Sequence, residues 1–232
     1  KNRVSYFQKI ARAFSRNYGI TVKFEGKGAS YDIKNNVVRV PVTVDTLDKE
    51  LRKVYEGLLD HEALGHAFAE TDCVERGVEA PSSIMMRRSY DKNASTWMFV
   101  FNAIEDARIE RTAIEKWPGT EINLAHCAKW ALAKAEEGFK ANPGAISPWW
   151  FIGCGVFAYA RGMEGLVQWF PAEVHELLQG DLAQEVEMTK RAINPVDVEA
   201  IVDSIFEKIK VPEQEEQPEP EGGPAEGESE DE

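Results

Sequence analysis

The sequence has few cysteines and no long apolar run. Its three cysteines lie far apart, with no CxxC pair and no even framework. Such spacing argues against a disulfide scaffold and favours a reducing, cytoplasmic compartment. The best membrane candidate, residues 149–160, is shorter than the ~20 residues that a spanning helix needs and contains two glycines. We therefore expect no membrane segment.

The sequence also lacks an excess of basic residues. Lys and Arg number 27 against 40 Asp and Glu, which gives a net charge of −13. Residues 211–232 hold ten of the acidic residues and no Lys or Arg, so residues 1–210 carry only −3. Because phosphate neutralisation needs clustered Lys and Arg, we expect no nucleic-acid partner. The composition predicts one domain over residues 1–210 and a disordered acidic tail or linker over residues 211–232.

Hydropathy patterning predicts an α+β fold that is predominantly helical. Two β-rich runs, residues 20–24 and 37–42, lie on either side of a short Tyr31-Asp32-Ile33 segment, and Asn35-Asn36 is typical of a hairpin turn. This region predicts a small antiparallel β-element. Residues 73–92 show no periodicity and predict a long loop. Helices are expected over residues 4–18, from about 47 through the motif described next, and over residues 94–117, 121–141, 148–161, 172–178, 181–191 and 195–210.

The motif that carries chemistry is His61-Glu62-Ala63-Leu64-Gly65-His66 near the end of the first long helix of the core. A His-Glu pair followed by a second His one turn later is how helices present a catalytic zinc ion. The two imidazoles ligate the metal. The glutamate beside the first ligand serves as general base for the water that the metal activates.

The two histidines are five residues apart, whereas the common HExxH motif spaces them by four. On a regular α-helix, five residues rotate a side chain by roughly 140°, which is too far for two ligands of one tetrahedral ion. A π-type turn would realign the two imidazoles, and Gly65 lowers the cost of that distortion. The alternative is that Glu62 and His66, at i and i+4, are the pair that faces the metal.

The helix over residues 94–117 supplies the third ligand expected from the sequence, Glu105. It lies between Phe101 and Ile109 on an apolar stripe, where a carboxylate must be paired or bound to metal. Two His and one Glu leave the fourth position open for water. Three polar residues are expected to orient the ligating imidazoles, and Arg108 is expected to pair with a carboxylate. The three are Asp60, Asn102 and Asp106.

The segment Glu105-Asp106-Ala107-Arg108-Ile109-Glu110, continued through Trp117-Pro118-Gly119 to Asn123-Leu124, resembles the amino-terminal region of CobT-type subunits of aerobic cobaltochelatase. The resemblance covers roughly residues 45–130 and the acidic tail. CobT-like proteins, including bacteriophage members, continue into a von Willebrand factor A-type (VWA) domain. Many relatives carry a His-Glu helix upstream, so the resemblance implies a zincin-like, gluzincin-type domain. It implies His61, His66 and Glu105 as ligands and Glu62 as base.

The sequence therefore predicts a zinc-dependent metallopeptidase or peptidase-like protein, with Zn²⁺ as cofactor and a peptide or protein as substrate. Two other classes stay open. One is a non-catalytic CobT-like adaptor or chelatase subunit that works with an AAA+ ATPase and a VWA-type domain. The other is a dinuclear metal protein that uses Glu62, His66, Glu105 and Glu110.

Overall fold

The computed structural model describes residues 19–25, 29–40 and 49–209, together with Ala13 and Arg16. The described part is predominantly helical with one small mixed sheet, an α+β arrangement. The predicted helix over residues 4–18 and the predicted tail over residues 211–232 lie outside the described residues. Within the described ranges, no helix combines the length and the apolar character needed to cross a bilayer.

The sheet contains β1 (Thr21–Phe24), β2 (Ser30–Asp32) and β3 (Val37–Val40) in the order β1-β3-β2. Strand β2 pairs antiparallel with β3 through the expected hairpin, whose turn residue Asn36 is left-handed. Strand β1 pairs parallel with β3, so the prediction of a purely antiparallel element was wrong. Both Val37 and Val38 are buried although consecutive strand residues face opposite ways. The most apolar strand is therefore central.

Most of the predicted helices are confirmed. The helix over Ala94–Lys116 begins after Asn93 as expected, and Ser147 caps the helix over Pro148–Ala160 by accepting a hydrogen bond from the Trp150 backbone N–H. The described helices are α1 (Lys49–Asp60), α2 (Phe68–Arg76), α3 (Pro81–Arg88), α4 (Ala94–Lys116), α5 (Thr120–Ala141), α6 (Pro148–Ala160), α7 (Ala172–Gln179), α8 (Ala183–Arg191) and α9 (Pro195–Ile209).

The long loop predicted over residues 73–92 is wrong, because α2 continues to Arg76 and α3 fills much of the remainder. Helix α3 starts with Pro81 in its first turn, and its Ile84 is fully buried. Arg87 and Arg88 both pair with Glu199 on α9. Ion pairs with α9, rather than a periodic pattern of apolar residues, hold this short helix in place.

A π-helix over His61–Ala67 joins α1 to α2 without a break. One face of it packs on the sheet, where Ala63 and Ala67 share an apolar cluster with Val38 and Val40. The opposite side meets α4, and a Cβ at Gly65 would lie 3.1 Å from Ile109 Cδ1. The motif is therefore held between the sheet and the longest helix.

Candidate metal centre

The π-helix places the two histidines of the motif on one side of the backbone. Hydrogen bonding from i to i+5 widens the turn, so residues five apart come into line. The Nε2 atoms of His61 and His66 lie 3.2 Å apart. The local widening that the five-residue spacing requires for a shared ligand is present.

Asp106 on α4 completes a group of three ligand atoms. Its Oδ1 lies 3.3 Å from His66 Nε2 and 3.6 Å from His61 Nε2. A tetrahedral zinc ion with bonds of about 2.0–2.2 Å holds its ligand atoms about 3.3–3.6 Å apart. The three observed separations therefore nearly match one face of a zinc tetrahedron, and they leave the fourth corner for a non-protein ligand. The described residues contain no other His, Cys, Asp or Glu group of this kind.

Asp106 Oδ1 is buried and is not counted among the hydrogen-bonded atoms, although His66 Nε2 lies 3.3 Å away. The second carboxylate oxygen accepts a hydrogen bond from Asn102 Nδ2 at 3.3 Å. A buried carboxylate oxygen without a donor is costly unless a cation or proton faces it. The donor set and this orphaned oxygen both fit a divalent metal ion.

Glu110, one turn after Asp106, fixes the orientation of His61. Its Oε1 lies 3.0 Å from His61 Nδ1, and Arg161 Nη1 lies 3.3 Å from its other oxygen. A carboxylate on Nδ1 favours the tautomer that keeps the proton there and leaves the Nε2 lone pair free for a metal. Glu110 and Arg161 are both nearly fully buried.

Negative charge is in excess around the imidazoles. Burial disfavours the charged form of His61, but Asp106, Glu110 and Glu62 outweigh it and raise the pKa of His61 to about 10. Burial also opposes ionisation of Asp106, yet the two histidines hold its pKa below the usual value. The site therefore favours positive charge at its centre, which a proton on His61 or a bound divalent cation can supply.

Glu62 faces the same space as the ligand group. Its side chain is buried, and burial raises its pKa, although the nearby histidines and a backbone hydrogen bond from Tyr31 oppose the rise. Residues His61 and Glu62 line two spaces: a cleft against β2 of about 350 Å³ and an apolar cavity of about 480 Å³. The Glu62 carboxylate thus lies beside the ligand group, within reach of a ligand in either space.

Glu105 does not join the ligand group. Both of its oxygens are engaged by Arg108, at 2.8 Å and 2.5 Å, in a fully buried ion pair. Its carboxylate still lines the cleft against β2. The expected pairing of Arg108 with a carboxylate is confirmed, and the third ligand atom in the structure belongs to the next residue, Asp106.

The other residues expected near the ligands have different roles. Asp60 accepts a hydrogen bond from Asn123 Nδ2 at 2.9 Å, and burial raises its pKa to about 6. Asn102 contacts Asp106 instead of an imidazole. Sequence reasoning did not foresee Tyr31 and Arg161 at the site. Glu110 was expected only in a dinuclear site, although its i+4 spacing from Asp106 was the available signal.

Comparison with known proteins identifies no relative, since no protein-family model, curated protein or solved structure matches the chain.

Proposed function

We propose that the protein is a zinc-dependent metallopeptidase whose ligands are His61, His66 and Asp106. The observation that carries the proposal is the triangle of ligand atoms, with sides of 3.2, 3.3 and 3.6 Å. Two imidazoles and one carboxylate with an open fourth position are typical of catalytic zinc sites. Asp106 replaces the predicted Glu105 in this set because Arg108 occupies the Glu105 carboxylate.

Each residue has a distinct part in the proposed reaction. His61, His66 and Asp106 would hold the zinc ion, which would lower the pKa of a water molecule and polarise a carbonyl. Glu62 accepts the proton of the attacking water and passes it to the leaving amine. The raised pKa of Glu62 suits this exchange, because a more basic carboxylate accepts the proton of water more readily. Glu110 and Arg161 keep His61 oriented.

A peptide fits the geometry beside Glu62. Among the described strands, β2 lies at the edge of the sheet, and Ser30 and Tyr31 line the cleft that also contains Glu62 and His66. An edge strand presents backbone groups that pair with an extended chain. A peptide added there would run past the metal group with its carbonyl groups close to Glu62.

The test is hydrolysis of casein and of a fluorogenic peptide library by zinc-loaded protein. Glu62→Gln keeps the shape of the side chain but removes the base, so we expect zinc binding to persist and hydrolysis to fall by about 10²–10⁴-fold. Glu75→Gln, on exposed α2 surface, is the matched control and should retain full activity.

Hydrolysis by Glu62→Gln at the wild-type rate would contradict the proposed mechanism. Absence of both zinc binding and hydrolysis in the wild-type protein would instead favour the adaptor hypothesis. Two redox-active ions per chain would favour the dinuclear one.

A further inference from the structure

Besides the β2 cleft, His61 and Glu62 line an apolar cavity of about 480 Å³. It is bounded by the π-helix and by α1, α4, α5 and α6. Apart from the thiols of Cys127 and Cys154, its polar groups are those of the metal site and Glu110. Six side chains form most of its apolar wall: Leu58, Ala128, Ala131, Leu132, Trp150 and Phe157.

The cavity exists because α5 carries small residues on the side that faces the metal site. Ala128, Ala131 and Ala135 recur at i, i+3 and i+7, so they share one face of the helix. A space of this volume lies in the range of small-ligand sites, which are mostly apolar with a few converging polar groups.

The cavity and the β2 cleft share two lining residues, His61 and Glu62. Successive side chains of an extended peptide point to opposite sides. A peptide whose backbone lies in the cleft with a carbonyl at Glu62 therefore has one of the two neighbouring side chains within reach of the cavity that His61 and Glu62 also line. This step rests on the peptidase function proposed above.

Among the described residues, the wall of the cavity contains no Lys or Arg that could pair with an acidic side chain. A small side chain would leave most of the apolar surface uncovered, whereas burial of apolar area gains roughly 25 cal/mol per Å². We propose that this cavity is a specificity pocket for a large apolar side chain, such as Phe or Leu, next to the peptide bond that is cut.

The test compares two metal-binding probes on the zinc-loaded protein by calorimetry: the hydroxamates of phenylalanine and of glycine. Both offer the same chelating group, and they differ only in the side chain. We expect the phenylalanine compound to bind at least about 10-fold more tightly, the lower end of what one apolar contact contributes in a pocket. Ala131→Phe, at the solvent-exposed edge of the cavity, should reduce that advantage to below about 3-fold.

Ala133→Phe is the matched control. Ala133 is also exposed on α5 but lines a separate groove with Leu51 and Trp130, so the preference should be unchanged. Equal affinities of the two probes for the wild-type protein, or no binding of either, would overturn the pocket. An undiminished preference in Ala131→Phe would overturn it as well.

Binding and turnover separate the two proposals. A preference for the phenylalanine probe without any peptide hydrolysis would leave the pocket standing and remove the peptidase. Hydrolysis that proceeds equally well with Phe, Ala or Glu beside the cut bond, with equal probe affinities, would keep the peptidase and remove the pocket.

Discussion

Glu110 connects the three candidate metal ligands, His61, His66 and Asp106, to the helical core. Its carboxylate lies between His61 Nδ1 and the Arg161 guanidinium, which comes from the end of α6. Partners of this kind fix the tautomer and ring orientation of a ligating histidine. The metal affinity should therefore depend on a residue that does not touch the metal.

Glu110→Gln is expected to weaken zinc binding by about 10–100-fold, because a neutral amide no longer strengthens the His61 imidazole as a ligand. Competition with a chelating dye measures the Kd. Glu115→Gln, on the exposed surface of the same helix, should leave the Kd unchanged. A Kd for Glu110→Gln equal to that of the wild type would show that Glu110 plays no part.

Asp106 and Glu105 are adjacent but serve different purposes in the structure. Sequence periodicity favoured Glu105 because Phe101 and Ile109 lie four residues to either side. In the structure α4 is buried around most of its circumference, with Phe101, Ile104, Ala107, Arg108, Ile109 and Glu110 all inaccessible. On such a helix, the apolar stripe does not show which carboxylate faces the two histidines. The ion pair with Arg108 is what keeps Glu105 out of the group.

The two carboxylates should respond differently to neutralisation. Asp106→Asn is expected to lower zinc affinity by more than the roughly 10–100-fold expected for Glu110→Gln, because it removes a ligand atom and not the partner of a ligand. Glu105→Gln leaves Arg108 buried without its countercharge and should cost about 3–5 kcal/mol of unfolding free energy. Urea titration of metal-free protein and dye competition provide the two readouts. A larger loss of zinc affinity in Glu105→Gln than in Asp106→Asn would instead identify Glu105 as the ligand.

The π-helix is the element on which the site depends. The spacing of His61 and His66 predicted a widened turn on the condition that both imidazoles face one ion, and the structure contains that turn. The strand order and helix α3 were not predictable in this way. Both depend on long-range partners, Val37 and Val38 in the core and Glu199 on α9, which local patterns do not show.

Close approach of α1 to α5 holds the start of the π-helix in place. A Cβ at Gly57 would overlap the carbonyl oxygen of Asn123 and lie 2.7 Å from Cys127 Cβ. Asn123 also donates the hydrogen bond to Asp60, directly before the motif. The two helices can approach this closely only because residue 57 has no side chain.

Gly57→Ala is therefore expected to destabilise the protein by about 1–3 kcal/mol, the usual range for overpacking. Gly138 lies on the same α5 helix, where an added Cβ would meet open space, with no neighbouring atom within 4 Å. Gly138→Ala should instead stabilise by roughly 0.5–1 kcal/mol, since alanine restricts the unfolded chain. Urea denaturation compares the two. Equal effects of both substitutions would contradict the close contact.

At the scale of the whole molecule, the site joins three parts of the fold. The π-helix carries two of the three candidate ligand atoms, α4 carries the third, and the end of α6 carries Arg161. A ligand that binds all of these in the native state, but not in the unfolded chain, stabilises the folded form by mass action. Zinc should therefore raise the midpoint of thermal unfolding.

At a free zinc concentration 100-fold above Kd, the gain is about 2.7 kcal/mol, which corresponds to a rise in Tm of roughly 5–11 °C for a domain of this size. Differential scanning calorimetry with and without chelator measures it. Magnesium should produce no shift, because it prefers oxygen ligands in octahedral geometry. An equal rise with zinc in His66→Ala would show that the ion binds elsewhere.

The most direct measurement is the anomalous difference map, at the zinc absorption edge, of a crystal grown with zinc. We expect one peak per chain, bonded at about 2.0–2.2 Å to Nε2 of His61, Nε2 of His66 and Oδ1 of Asp106, with Glu105 still paired with Arg108. A zinc-saturated crystal with no peak between these three atoms, or with the peak bonded to other residues, would contradict this expectation.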